Sequence, residues 1–400
     1  MKVTHIDTVT MDSFPNLLFV EVGTDEGLVG LGETFWGASA IDDYIHHRAA
    51  PLLLGENPMD VERHTRRLKN RLGNGGTGVE MRGNSAVNIA LWDIAGKVSG
   101  QPLYQLLGGR SRESVRVYNT CAGSKYVRDA PEQTMRNWGI GSAAQYEDLY
   151  GFLHHADELS ESLLAEGIDA MKIWPFDSFA ELDDGRRISA EDLATALEPF
   201  EKIRSRVGSK MDIMVEMHSL WDIPTAKRII LAVEPFDPFW VEDPVPSVNP
   251  AALARLARDV QPPLAISETL GGVESYLPFV ESGGAEVVLA DVGWVGGISE
   301  AKRVAMLADL FQVPVSFHDC TGPVVLTVST HMAVSIGNAC IQEVVRAFYK
   351  GWYRDLVTTL PLIENGMARP PSTPGIGTEL LPDIRKRPGS HVRSSCLADL

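Results

Sequence analysis

The pattern of apolar positions changes about a quarter of the way along the chain. Residues 1–34 alternate between apolar and polar side chains, with a turn at Asp25-Glu26-Gly27, and this period predicts antiparallel strands. Apolar positions then recur at helical spacing over 39–53, 58–72 and 85–99. Roughly the first 110 residues are therefore predicted to form an α+β unit in which strands precede helices.

Beyond Gly109 the pattern becomes strand, helix, strand. Eight apolar runs predict buried strands, at 115–120, 169–174, 211–217, 238–243, 264–268, 287–291, 313–317 and 339–343. Seven helical stretches separate them, including 147–165, 189–207, 250–259, 298–310 and 322–336. Because no clear amphipathic helix follows the eighth strand, the pattern predicts an α/β fold with a (β/α)7β TIM-like barrel. The tail from about residue 361 is rich in proline and is predicted to be loop-like and to return to the first domain.

One stretch, residues 123–146, interrupts this alternation. It is polar, aromatic and glycine-containing, and it is much longer than the roughly 2–6 residues usual between a strand and a helix in α/β units. Loops at the carboxyl ends of barrel strands line the active site. We interpret the stretch as a lid or specificity loop, with an oligomer contact or a plain surface insertion as the alternatives.

Composition narrows the class of protein. The 400 residues carry a formal net charge of −17, which argues against a nucleic-acid partner because no basic stripe offsets the repulsion by phosphate. No apolar run reaches the roughly 18 residues of a membrane span, and the first residues lack the apolar core of a signal peptide. Cys121, Cys320, Cys340 and Cys396 form no CxxC pair. We therefore expect a cytoplasmic protein with reduced thiols and no membrane partner.

Three glutamates end successive predicted strands at an interval of 26 residues: Glu216, Glu242 and Glu268. This interval fits one strand and one crossover helix, which is the repeat of a parallel barrel. A carboxylate at the end of a buried strand is costly unless positive charge meets it. Three oxygen ligands that converge on one barrel mouth predict a divalent cation, most naturally Mg²⁺.

The other predicted strands also end in groups that can carry chemistry. Lys172 and Trp174 end the second strand, His218 follows Glu216, and the last three strands end at Asp291, His318 and Glu343. Asp291 and His318 end adjacent strands, so a hydrogen bond between them would fix the imidazole tautomer and raise its basicity. Lys172 is either a salt-bridge partner or a cation for a substrate carboxylate, and Glu343 pairs with it or with a ligand. Trp174 is predicted to be a pocket wall. A structural histidine is the alternative for His218, which should share a strand face with Glu216.

Together these residues resemble the enolase superfamily, and within it the mandelate racemase-type acid-sugar dehydratases that include galactonate dehydratases. The resemblance covers essentially the whole chain. It rests on SAVNIALWDIAGK (85–97) with GQPLYQLLGG (100–109), on WVEDP (240–244), on DVGWVGGISEAKRVA (291–305) and on the tail PPSTPGIG. It implies an α+β capping domain over 1–112, a barrel over 113–360 and a segment over 361–400 that returns to the capping domain.

The resemblance also implies roles for the strand-end residues. Glu216, Glu242 and Glu268 correspond to Mg²⁺ ligands, although the first is Asp in many relatives. His318 with Asp291 corresponds to the general base, and His218 to the acid that expels hydroxide in galactonate dehydratase-like relatives, with His318 itself, in a syn elimination, as the alternative acid. Lys172 is expected to add catalytic positive charge beside the metal. Lys172, Trp174 and Glu343 are expected to bind substrate, and no organic cofactor is expected. In the racemase-type pattern the second strand carries Lys-x-Lys, whereas this chain has Lys172-Ile173-Trp174.

The implied activity is that of a carbon–oxygen hydro-lyase. It would remove the C2 proton of an aldonate or aldarate, form a metal-stabilised ene-diolate and eliminate the C3 hydroxyl to give a 2-keto-3-deoxy acid. Loops near Phe14–Asn16 and Leu72–Val79 are expected to touch the distal end of the substrate. Relatives' habits suggest a homo-oligomer. The alternatives are a racemase, epimerase or lactone cycloisomerase with the same intermediate, and a non-catalytic sugar-acid-binding protein. A nucleotide site at LGNGGTG is disfavoured because no Lys-Ser/Thr follows it.

Overall fold

The N-terminal sheet is antiparallel and packs on one long helix. The structure, a computed structural model, describes residues 1–71, 76–128 and 134–399. The sheet contains β1 (Val3–Met11), β2 (Phe14–Thr24) and β3 (Val29–Phe35). The helices that follow are α1 (Ala38–Tyr44), a π-helical turn (Ile45–Ala49), α2 (Ala50–Leu53), α3 (Val61–Arg71), α4 (Val79–Ser99) and α5 (Leu103–Leu106). The strands and helices predicted here are present, with shifted ends.

Helix α4 lies very close to β3. A Cβ atom added to Gly32 would stand 1.8 Å from the carbonyl oxygen of Ala86, and one added to Gly30 would stand 2.0 Å from that of Ala90. Only glycine allows the strand and the helix to approach this closely. Most side chains of α4 are buried because its other face packs on a helix of the barrel.

Eight parallel strands follow in chain order and close into a barrel, which confirms the predicted fold class. They are β4 (Val115–Thr120), β5 (Ala170–Ile173), β6 (Asp212–Glu216), β7 (Trp240–Glu242), β8 (Leu264–Ile266), β9 (Val287–Ala290), β10 (Val315–Phe317) and β11 (Ala339–Val344). Closure pairs Glu343 of β11 with Tyr118 of β4. Several observed strands are shorter than the apolar runs that predicted them, since those runs continue into the loops.

The helices of the barrel are mostly those predicted. They are α6 (Asp148–His154), α7 (Ala156–Ala165), α8 (Asp177–Ala180), α9 (Ala190–Val207), α10 (Ile223–Val233), α11 (Pro250–Asp259), α12 (Val273–Glu281), α13 (Gly297–Leu310) and α14 (Pro323–Ser335). Between β11 and residue 361 the structure has only the four-residue helix α15 (Arg346–Tyr349) and a 3₁₀ turn (Trp352–Asp355), as the missing amphipathic period predicted. No helix in the described ranges combines the length and the apolarity needed to cross a bilayer.

The C-terminal segment is more regular than predicted. β12 (Leu362–Glu364) and β13 (Met367–Arg369) form a hairpin that pairs antiparallel with β4. The last strand, β14 (Ser390–Cys396), pairs antiparallel with β1 in the N-terminal sheet. The prediction of a loop-like tail was therefore wrong at these strands. β12 and β13 have three residues each, which is too short to show an alternation, and β14 is mostly polar and lies at the edge of its sheet. None of them therefore carries the alternation that identifies a half-buried strand.

Candidate functional site

The ionisable strand ends continue the inward-facing positions of the barrel. The layer beneath them is an apolar cluster of Tyr118, Ala170, Met214, Trp240, Ala265, Val287, Leu289 and Ile341. Because successive side chains alternate between the two faces of a strand, residues two positions further along face the same side. Those positions hold Lys172, Glu216, Glu242, Asp291 and Glu343, all of them buried.

The three glutamates predicted to bind a cation lie together. Each of Glu216, Glu242 and Glu268 offers one carboxylate oxygen, and these oxygens lie within 4.8 Å of one another. Burial raises the pKa of Glu216 to about 8 and that of Glu242 well above its ordinary value. Oε2 of Glu268 is buried and has no hydrogen-bond partner. A buried all-oxygen donor set with an unpartnered oxygen fits a hard divalent cation, which would neutralise these carboxylates.

Lys172 lies among the acidic strand ends. Its Nζ is 2.6 Å from Glu242 Oε1, 3.1 Å from Glu343 Oε1 and 3.2 Å from Glu216 Oε2. Burial disfavours the ammonium, but Glu242 and Glu343 outweigh that effect and hold the pKa of Lys172 well above its usual value. The lysine is therefore charged and shared by three carboxylates, while it also lines the cavity described below.

His318 and Asp291 form the predicted pair. Nδ1–H of His318 donates to Oδ2 of Asp291 at 2.7 Å, and Asp291 also accepts a bond from the Gly293 N–H. This leaves Nε2 of His318 on the side of Glu343, 3.9 Å from its Oε2. Burial opposes protonation of the ring, but Glu343 and Asp291 raise the pKa of His318 to about 10. Positive charge at the glutamate triad would act in the opposite direction and favour the neutral ring.

His218 faces the same cavity, but for a different reason from the one predicted. β6 ends at Glu216, and both His218 and Ser219 adopt left-handed backbone conformations, with φ of 45° and 59°. The expectation that an extended strand carries His218 was therefore wrong: a strained turn aims it. The backbone N–H groups of Met217 and His218 both donate to Oε1 of Glu216, which ties this turn to the glutamate.

Asp177 is a residue of this region that the sequence did not reveal. Its Oδ2 accepts the Nδ1–H of His218 at 2.5 Å, and the carboxylate is buried. Asp177 lies in the first turn of the short helix α8 after β5, where acidic residues are common on exposed surfaces. Its position in the sequence gave no signal, because the contact depends on how the β5–α8 loop folds.

A cavity of about 830 Å³, part of which opens to solvent, joins these groups. It is lined by Lys172, Glu216, His218, Glu268, His318 and Glu343, whereas Glu242 lies beneath it. Aromatic side chains form much of the remaining wall: Phe35, Trp36, Tyr126, Trp174 and Trp294. Trp174, predicted as a pocket wall, lies edge-on to His218 with ring centroids 5.8 Å apart.

The long 123–146 stretch contributes to this cavity through its first residues. Tyr126 and Val127 line it, and the carbonyl of Val127 accepts a bond from the side-chain amide of Asn16. Asn16 therefore supports the loop that forms this wall, and the contact of Phe14–Asn16 with the distal end of the substrate stays a prediction. Residues 72–75 and 129–133 lie outside the described residues, and with them part of the predicted contact at Leu72–Val79.

The N-terminal sheet reaches the barrel next to the His318–Asp291 pair. Glu33 of β3 is fully buried and accepts bonds from the backbone N–H groups of Val324 and Val325, at the beginning of α14. The hydroxyl of Thr34 donates to the carbonyl of Gly293 at 2.8 Å. These hydrogen bonds depend on the packing of the N-terminal sheet against the barrel. The pattern of ionisable residues at barrel strand ends therefore does not predict them.

Comparison with known proteins places this geometry in a family. The mandelate racemase / muconate lactonizing enzyme N-terminal domain matches residues 3–108, and the enolase C-terminal domain-like family matches residues 154–384. A solved enolase of the mandelate racemase subgroup from Agrobacterium tumefaciens is 46% identical, with a TM-score of 0.89 over 100% of both chains.

Curated relatives are similar over nearly the full length. D-xylonate dehydratase of Haloferax volcanii is 30% identical over 395 residues, which cover 95% of this chain and 87% of that protein. D-galactonate dehydratase of Ralstonia nicotianae is 27% identical over 386 residues, covering 95% and 92%. The similarity includes both the N-terminal sheet and the barrel.

Proposed function

Because this chain belongs to the mandelate racemase and muconate lactonizing enzyme family of the enolase superfamily, we propose that it is a hydro-lyase that dehydrates a sugar acid. The observation that carries the proposal is the pair of histidines at one cavity, His318 held by Asp291 and His218 held by Asp177. A β-elimination needs a base that removes a proton and an acid that protonates the departing hydroxyl, and two histidines at one cavity can divide these roles.

The carboxylate end of the substrate would lie at the acidic strand ends. Glu216, Glu242 and Glu268 would hold a divalent cation, proposed to be Mg²⁺, which when bound supplies positive charge where negative charge accumulates on the substrate carboxylate. Lys172 would add a second positive charge at the same end. Glu343, which accepts bonds from the Asp319 N–H and the Thr120 hydroxyl, would fix the position of Lys172.

His318 would act as the base. Its Nδ1–H is held by Asp291, so Nε2 is the nitrogen that removes the C2 proton. The electrons of the C2–H bond move first onto the substrate carboxylate, which becomes an ene-diolate. They then form the C2=C3 double bond of the enol as the C3–O bond breaks, and His218 gives a proton to the departing hydroxyl, which leaves as water. The enol then takes a proton at C3 and releases the proton of its C2 hydroxyl, which gives the 2-keto-3-deoxy acid. One water is lost overall, and the proton lost by one histidine is matched by the proton gained by the other.

The charges at the cavity favour an aldonate over an aldarate. Among the described residues, Lys172 is the one Lys or Arg side chain that lines the cavity, and it already faces three carboxylates. The rest of the wall is largely aromatic. A second carboxylate at the far end of an aldarate would lose its hydration without gaining a cation, and this is costly. The two curated relatives named above are also dehydratases of aldonates, D-xylonate and D-galactonate.

The proposal is tested with a panel of five- and six-carbon aldonates and their matched aldarates, assayed with Mg²⁺ for 2-keto-3-deoxy products. We expect at least one aldonate to be dehydrated, and we expect a chelator to abolish the reaction. The variant His318→Asn should lose turnover by about 10²–10⁴-fold or more, because it lacks the proton acceptor. A near-normal rate for this variant would contradict the assignment of the base.

Isomerisation is the second candidate function. The same observation supports it, because His218 and His318 could exchange protons with one carbon from two sides. The residue at the second-strand position argues against it, since Trp174 stands where a racemase-type relative would have a second lysine. Proton NMR of the product separates the two: an epimer retains all hydroxyl groups, whereas dehydration produces a C3 methylene.

A further inference from the structure

Asp177 forms a second Asp–His pair at the cavity wall. The carboxylate is 2% exposed, and its Oδ2 lies 2.5 Å from Nδ1 of His218. Its other oxygen, Oδ1, is buried without a hydrogen-bond partner. A buried carboxylate with one partner is costly, so the contact with His218 is where this carboxylate can act.

We propose that Asp177 is a positioning residue that fixes the ring of His218 for proton delivery to the C3 hydroxyl of the substrate. The inference rests on the proposed dehydration and deepens it. Asp177 itself does not line the cavity, so it would act through His218 and not on the substrate.

The geometry determines which ring nitrogen is available. An ionised carboxylate can only accept, so Nδ1 of His218 must carry the proton that Asp177 binds. Nε2 then remains, and it lies 3.4 Å from the hydroxyl of Tyr126, a residue of the cavity wall. A rotation of the ring by half a turn about χ2 would break the bond with Asp177. The carboxylate therefore selects the orientation in which Nε2 meets the substrate.

The backbone conformation at His218 explains why a second residue is needed to hold the orientation of its ring. His218 and Ser219 both have left-handed φ values, a conformation that is strained for a non-glycine residue and concentrates at functional sites. The turn moves the histidine out of the strand, so the barrel sheet no longer fixes its side chain. Asp177 holds one edge of the ring, and Trp174 packs edge-on against it.

The two Asp–His pairs would divide the reaction. Asp291 orients His318 to accept the C2 proton, and Asp177 orients His218 to give a proton to the oxygen of the C3 hydroxyl. When the C3–O bond breaks, its electron pair stays with that oxygen. The doubly protonated ring of His218 gives its Nε2 proton to this oxygen, which leaves as water, and the ring returns to the neutral form with its proton on Nδ1. Loss of Asp177 should therefore affect C–O cleavage and leave C2–H cleavage largely intact.

The test compares Asp177→Asn, His218→Asn and the double variant in two reactions of the full-length protein. Elimination is followed by 2-keto-3-deoxy product, and C2–H cleavage by exchange of the C2 proton with deuterium from solvent. For Asp177→Asn we expect elimination to fall by at least about 10²-fold while exchange stays within a few-fold of wild type. The double variant should be no slower than His218→Asn, because residues that act as a unit are not additive.

A matched control and a second readout keep the test independent of folding and of the substrate. Asp183→Asn removes the same charge from an exposed position of the same segment and should leave both reactions unchanged. In ¹⁵N-histidine-labelled protein, the neutral ring of His218 should carry its proton on Nδ1 in wild type and lose that preference in Asp177→Asn. The signal of His218 is identified as the one that is absent from the spectrum of His218→Asn.

Three outcomes would overturn the proposal. They are near-normal elimination in Asp177→Asn, an equal loss of exchange and elimination, and an unchanged His218 ring spectrum. If no sugar acid is dehydrated, the ring spectrum still decides whether Asp177 orients His218. Failure of the proposed function is thus distinguishable from failure of this inference.

Discussion

At the scale of single residues, Lys172 has the most demanding environment. A buried ammonium is costly, and so is each of the three buried carboxylates around it, Glu216, Glu242 and Glu343. Their mutual attraction offsets these costs only while all the partners are present. The lysine therefore contributes to stability as well as to the charge of the substrate site.

Replacement of Lys172 by methionine should show how far the stability of the fold depends on this lysine. Without a divalent cation, Lys172→Met should lower the free energy of unfolding by about 3–5 kcal/mol, because buried carboxylates lose their partner. Added Mg²⁺ should recover part of the loss, since it would meet Glu216 and Glu242. The measurement is urea unfolding with chelator and with Mg²⁺. Lys210→Met, at an exposed position, is the control, and equal stability of the two variants would refute the explanation.

Most of the site residues could be predicted because strand periodicity fixes them. Lys172, Glu216 and Glu242 lie two positions beyond apolar residues that face the barrel interior, so the sequence pattern indicates their direction. Asp177 and Glu33 could not be predicted in this way. One depends on a loop and the other on contact between two domains, and neither arrangement leaves a period in the sequence.

At the scale of elements, helix α14 connects three parts of the chain through His331. Nδ1 of this buried histidine accepts the backbone N–H of Tyr104, and its Nε2–H donates to the carbonyl of Ile376 at 3.0 Å. Both bonds require the neutral ring, since the charged ring has no acceptor nitrogen. Burial lowers the pKa of His331 to about 4.

The contribution of His331 to the stability should therefore fall in mild acid. The pKa of His331 is lower in the folded chain (about 4) than in the unfolded chain (about 6.5), so the unfolded state binds the proton first. Stability is complete above pH 6.5 and is lost as the pH falls toward 4. This residue should contribute on the order of 2 kcal/mol between pH 7 and pH 5.

The measurement is urea unfolding at pH 7 and pH 5 for wild type, His331→Gln and His47→Gln. The first variant should show a smaller loss than wild type, because it lacks the titrating ring. His47 is exposed, so its variant should retain the wild-type slope. An unchanged slope in His331→Gln would mean that other groups determine the acid sensitivity.

The elements with strong periodicity were the ones predicted well. The eight barrel strands and helices such as α9 and α11 carry clear apolar patterns, and the structure has them close to the expected positions. The two short strands β12 and β13 and the edge strand β14 were missed. Such strands form largely because the neighbouring strand offers free backbone N–H and C=O groups. The pattern of side chains in the sequence does not show where those groups are.

At the scale of the whole molecule, the C-terminal strand joins the end of the chain to its beginning. β14 pairs with β1 over seven residue pairs, from His5 with Cys396 to Met11 with Ser390. Charged groups add to this contact, because Arg385 binds Asp7 and Glu21. Without β14, the backbone of β1 would form an unprotected sheet edge.

Truncation after Arg387 should therefore lower the thermal midpoint and increase association. The exposed edge of β1 would lose its pairing and would offer a template for other chains. Differential scanning calorimetry and light scattering measure the two effects. A chain that ends at Cys396 keeps the strand and is the control. A truncated protein with an unchanged midpoint and no association would show that β14 is dispensable.

The hydrogen bonds from β3 to the barrel also limit the movements by which substrate and product can enter and leave the cavity. Glu33 and Thr34 attach the sheet to the start of α14 and to the loop after β9, next to His318 and Asp291. A hinge that swung the sheet away would strip a buried carboxylate of both backbone donors in every turnover. Substrate and product should therefore enter and leave through local rearrangement of loop segments such as 123–128, while the two domains remain a single rigid frame.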